Sequence, residues 1–111
     1  MSKQLTNRHI DTVTRELNNA VEQVTRAWRE KHPYPSWEEE QEWRRQNLSP
    51  RDRHELRERE IRNELKKQTN DLLLRIQLGE VAVPDIYDQL KQVTNALNER
   101  RMSYVMERPN D

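Results

Sequence analysis

Apolar residues recur along the first part of the chain at helical spacing. Ile10, Val13, Leu17, Ala20, Val24 and Ala27 follow one another at intervals of three, four, three, four and three. This is the a/d spacing of a helix seam, and Val21 and Trp28 widen the stripe. The pattern predicts a helix over residues 5–31, roughly 40 Å long at 1.5 Å per residue. Two alanines at d positions let a neighbouring helix approach closely. His32-Pro33-Tyr34-Pro35 ends the helix. Each proline removes an amide donor and drives the residue before it out of the α region.

The polar positions that follow read as punctuation. Ser36 with Glu39 three residues on forms a capping box, and Glu38, Glu39 and Glu40 place negative charge on the first turn, where the helix dipole favours it. A short helix is expected over residues 37–46. Ser49, Pro50 and Asp52 then supply a cap, an N1 proline and a first-turn acid, which opens a third helix at residue 50. Gly79 is its natural stop near residue 78. The first half, "RDRHELREREIRNELKK", carries only Leu56, Ile61 and Leu65 as apolar residues. Glu55–Arg59 and Glu58–Arg62 pairs support it at about 0.2–0.5 kcal/mol each. It is expected to project as an arm. The second half, "DLLLRIQL", is apolar on more than one face and reads as the centre of the core.

"EVAVP", residues 80–84, reads as an extended link. Ile86, Leu90, Val93, Leu97 and Tyr104 then mark a fourth helix over residues 84–105, with Arg100 and Arg101 interrupting the stripe. Residues 106–111 are expected to fray. The fold class is therefore all-α within a single domain, residues 1–111: three long helices plus one short helix in an elongated helical bundle or hairpin. Heptad-like seams and the over-apolar third helix suggest self-association as a homodimer.

Composition narrows the classes of function. Only 32% of the 111 residues are hydrophobic and 36% are charged, yet net charge is zero and the apolar residues are periodic. That combination argues against disorder. There is no cysteine, which excludes a disulfide framework, a thiolate zinc site and a cysteine nucleophile. The start "MSKQLTNRHI" lacks a signal-peptide core, and no apolar run could span a bilayer. A soluble, cytoplasmic protein is expected. Charge is unevenly placed: residues 44–67 hold nine Lys/Arg against five acids, and residues 68–111 hold five against seven.

Candidate chemistry is sparse. His9, His32 and His54 show no metal-ligand spacing. His54 and Glu58 form an i,i+4 pair, which is weak as a metal site. No glycine-rich phosphate loop or nucleophile elbow is present, and the serines read as caps or surface. No catalytic residue, metal or cofactor is expected. The stretch "HPYPSWEEE" resembles the "NPYP" loop that joins the first two helices of three-amino-acid-loop-extension homeodomains. The resemblance covers about ten residues. The segment "PRDRHELREREIRNEL" carries no aromatic residue, and Asn63 stands beyond the family's base-reading position, so no functional residue transfers.

Two features point to binding. Trp28, Trp37 and Trp43 surround the Pro-Tyr-Pro corner with Tyr34. Trp28 is expected in the core and Trp43 exposed. Trp and Arg dominate binding hot spots, and Trp43-Arg44-Arg45 places them side by side. The expected function is a non-enzymatic helical interaction protein: a regulator, inhibitor, assembly factor or chaperone, including one of phage or plasmid origin. It would bind an acidic protein surface through Trp43, Arg44, Arg45, Arg53, Arg57 and Arg59. The alternative is a DNA- or RNA-binding regulator with Arg51, Arg53, His54 and Arg57 near a groove and Arg44 and Arg45 on phosphates. The acidic second helix disfavours it, because duplex DNA repels carboxylates.

Overall fold

Four helices alternate with the punctuation marks of the sequence. A computed structural model describes residues 5–45 and 47–107. They form α1 (Asn7–Lys31), α2 (Trp37–Glu42), α3 (Pro50–Gln77) and α4 (Ile86–Val105), with a 3-10 turn at Val83–Asp85 and no strand among the described residues. The expected fraying at 106–111 falls mostly outside the described residues.

The starts of α1, α2 and α3 follow their local chemistry, whereas α4 continues from the 3-10 turn without a side-chain cap. Thr6 caps α1: its Oγ1 accepts the His9 N–H, and His9 Nδ1 accepts the Thr6 N–H at 3.1 Å. This reciprocal pair sets the first turn two residues later than the pattern suggested. Ser36 Oγ accepts the Glu39 N–H and Ser49 Oγ accepts the Asp52 N–H, both at 3.1 Å. Gly79 adopts φ +75° beyond the end of α3, a left-handed conformation that costs other residues free energy.

α2 is shorter than predicted. It ends at Glu42, and Trp43 is already extended at φ −65°, ψ 130°. A six-residue helix with no buried residue has little beyond its cap to hold it. The link at 80–84 is not simply extended either, because Val83 and Pro84 enter the 3-10 turn.

Contacts between helices fix the topology. Glu22–Arg62 and Arg29–Glu58 ion pairs run α3 antiparallel to α1. His9 meets Tyr87 and His32 meets Glu107, so α4 runs parallel to α1. The result is an elongated three-helix bundle with extents of 66 × 26 × 18 Å. Two apolar clusters fill it. Val13, Leu17, Leu72, Ile76, Ile86 and Leu90 form one. Val21, Val24, Trp28, Ile61, Leu65 and Leu97 form the other.

Three packing expectations change. The first half of α3 does not project as an arm: Ile61 and Leu65 are fully buried in the second cluster. In "DLLLRIQL", Leu72 and Ile76 are buried and Leu73 is half-buried, but Leu74 and Leu78 are 54% and 63% exposed. Only one stripe of a helix can face a bundle core. Arg100 does not break the inner stripe of α4. It donates to Glu64 at 2.6 Å and to Tyr104 Oη at 3.2 Å, which satisfies its charge at the core's edge.

Candidate partner interface

The corner between α1 and α3 is built on Trp28, which is 4% exposed near the end of α1. Two histidine rings lie against it: His32 stacks at 5.0 Å and His54 tilts at 4.8 Å. His54 Nε2 donates to the His32 carbonyl oxygen at 2.6 Å. That bond joins the end of α1 to the first turns of α3. Tyr34 closes the cluster, edge-on to His54 at 5.3 Å and donating its hydroxyl to Glu55 at 2.9 Å. The hydrogen bond to the Glu55 carboxylate holds the Tyr34 phenol above its ordinary pKa, because it favours the protonated form.

Arg51 ties α2 to this cluster. Its Nε donates to the Pro35 carbonyl at 3.2 Å, and its guanidinium lies 5.1 Å from the centre of the Tyr34 ring. Its backbone N–H donates to Glu40 Oε2 at 3.1 Å. The Glu40 carboxylate thereby sits on the first turn of α3, where the helix dipole stabilises it.

The predicted binding residues divide. Arg44, Arg45 and Arg53 are exposed and make no ion pair among the described residues. Arg57 pairs with Glu60 at 3.5 Å on an exposed surface, an arrangement of small net worth. Arg53 and Arg57 stand one turn apart on one side of α3. Arg59, two residues further, points away from Arg57 by roughly 160° at about 3.6 residues per turn, so it does not join the same patch.

Trp28 is buried as expected, but Trp43 is not the exposed tryptophan. Trp43 is half-buried, whereas Trp37 is 63% exposed. The reason is local: Trp43 leaves the helix as an extended residue, while Trp37 occupies the first position of a helix with no buried face. Trp37 and the exposed Leu48 are functional candidates that charge-based reasoning missed. Their signal was the absence of an apolar partner row on α2.

Other chemistry is engaged elsewhere. Glu58, the i,i+4 neighbour of His54, is paired with Arg29, and His54 Nε2 is committed to a carbonyl. Among the described residues no group of three or more His, Cys, Asp or Glu side chains is placed to hold a metal ion. A groove of about 560 Å³ between α1 and α4 is lined by Asn19, Gln23, Asn95, Asn98 and Arg101, among others, and contains none of the predicted residues. No described helix is long and apolar enough to cross a membrane. Compared with known proteins, the chain matches no family model, no curated protein and no solved structure.

Proposed function

We propose that the chain is a small non-enzymatic interaction protein, a regulator, inhibitor or assembly factor, that binds an acidic protein surface through its α1–α3 corner. The observation that carries this reading is the exposed Trp37 on a corner whose Arg44, Arg45 and Arg53 have no ionic partner among the described residues. A partner carboxylate would give each arginine a charge-assisted bond. A buried indole would supply the apolar anchor common at hot spots. Half-buried Trp43 borders Arg44 and Arg45 in the chain, and Arg57 joins the surface by exchanging Glu60 for a partner acid. A cytoplasmic setting is compatible with the lack of cysteine.

Affinity capture from the cells that express the protein tests the surface. Arg53→Glu/Arg57→Glu and Trp37→Ala should each lose the captured partner. Retention in both variants would show that the contact lies elsewhere. A duplex-DNA titration at about 50 and 200 mM salt tests the alternative, since several phosphate contacts would lose orders of magnitude in affinity between them. The expected result is no measurable duplex binding at the lower salt.

Self-association belongs to the same reading and has its own candidate surface, the exposed pair Leu74 and Leu78. Light scattering at micromolar concentration should give a dimer mass for the natural chain and a monomer mass for Leu74→Lys/Leu78→Lys. A clean monomer for the natural chain removes this part.

A further inference from the structure

We propose that residues 33–45 form a latched flap that opens as one unit while the three-helix bundle stays folded, with Arg51 as the latch. The flap contributes no member to either apolar cluster. Its helix, α2, buries no residue. Across residues 33–45 only Pro35, Glu40 and Trp43 are even half-buried. Two of these three, Pro35 and Glu40, are the residues that Arg51 holds, through its Nε and its backbone N–H. Its guanidinium also covers Tyr34, whose hydroxyl is tied to Glu55 one turn further along α3.

All of these ties land on one short piece of α3, and all are polar or aromatic contacts, exposed or part-buried. The bundle is held instead by buried Val, Leu and Ile from α1, α3 and α4. Opening the flap therefore uncovers none of the apolar cluster members and requires far less free energy than unfolding the bundle. Opening would also lift Tyr34 from the edge of His54 and let Trp37, Trp43, Arg44 and Arg45 move together. The inference deepens the partner-binding reading, since those residues belong to the proposed surface. Its test uses the free chain and stands apart from what the partner is.

Hydrogen exchange followed by mass spectrometry on the full chain is the test. In the natural protein, amides of 37–45 should exchange faster than those of α1, the second half of α3 and α4. Arg51→Ala keeps the backbone bond to Glu40 but removes the guanidinium's bond to Pro35 and its cover on Tyr34; it should raise exchange in 37–45 by roughly ten- to hundredfold, the effect of losing one charge-assisted hydrogen bond, and leave the bundle unchanged. Glu40→Ala, which leaves α3 intact, should act in the same direction. Lys66→Ala, which removes an exposed charge elsewhere on α3, should change neither region. Flap amides that exchange only at the bundle's rate would overturn the proposal. So would Arg51→Ala and Glu40→Ala speeding all segments together, or leaving 37–45 as slow as before.

Discussion

Trp28 and Trp37 show how far one residue type can differ between two sites nine positions apart. Trp28 packs between two histidine rings inside a cluster of Val21, Val24, Ile61, Leu65 and Leu97. Trp28→Ala should cost about 3–5 kcal/mol in urea denaturation. Trp37→Ala should change stability by less than about 0.5 kcal/mol, because its ring has little to lose on the free protein. Glu64 gives a pH-dependent counterpart. The hydrogen bond and charge of Arg100 hold its carboxyl below the ordinary value of 4.5. A depressed folded-state pKa contributes stability that is present above the unfolded value and fades as pH falls through the folded one. Glu64→Gln should therefore lower the melting temperature at pH 7. The difference from the natural protein should shrink steadily once the pH drops below about 4. A gap that persists unchanged at lower pH would show that packing, not charge, accounts for it.

At the scale of the element, boundaries follow from caps and stops. Ser49 is 6% exposed, and its hydroxyl caps the longest helix. Ser49→Ala should destabilise the protein by about 1 kcal/mol. A Cβ at Gly79 would meet no atom within 4 Å, so Gly79→Ala isolates backbone conformation and should cost about 1 kcal/mol at φ +75°. Thermal melts of the two variants give both values. The long helices were legible because periodic apolar rows and Pro, Ser and Gly punctuation coincide at their ends. α2 was overextended because WEEEQEWRRQ contains no helix breaker, and its end is set by the lack of anything to bury. The inner row of the first half of α3 was not legible. There the bundle is contacted by His54, Glu58 and Arg62, polar residues that pack or pair with Trp28, Arg29 and Glu22. Apolar periodicity cannot register such a row, so this half looked like a free arm.

For the whole molecule, charge counted along the chain and charge placed in space are different quantities. The excess over residues 44–67 is real as a count. Folding then commits Arg62 to Glu22, Arg57 to Glu60 and Arg51 to the corner, and turns Arg59 to another side. The surface we propose for a partner is Arg44, Arg45 and Arg53 with Trp37, joined by Arg57 on release from Glu60, and of these only Trp37 lay outside the set drawn from the sequence. Spacing alone could not separate Trp37 from Trp43, since their exposure depends on where the helix between them stops.

An odd number of long passes has a mechanical consequence. The chain enters α1 at the end of the bundle near Gly79 and leaves α4 beside His32, at the opposite end of a 66 Å body. A tether attached after residue 107 would crowd the corner, whereas one attached before residue 7 would leave it clear. Tension applied between the two attachment points would shear α1 against α4, the most extensively packed pair of helices, with force carried by whole rows of side chains at once. The bundle thus separates its corner from the start of α1 by the length of its long axis, so that the two are held at a set distance.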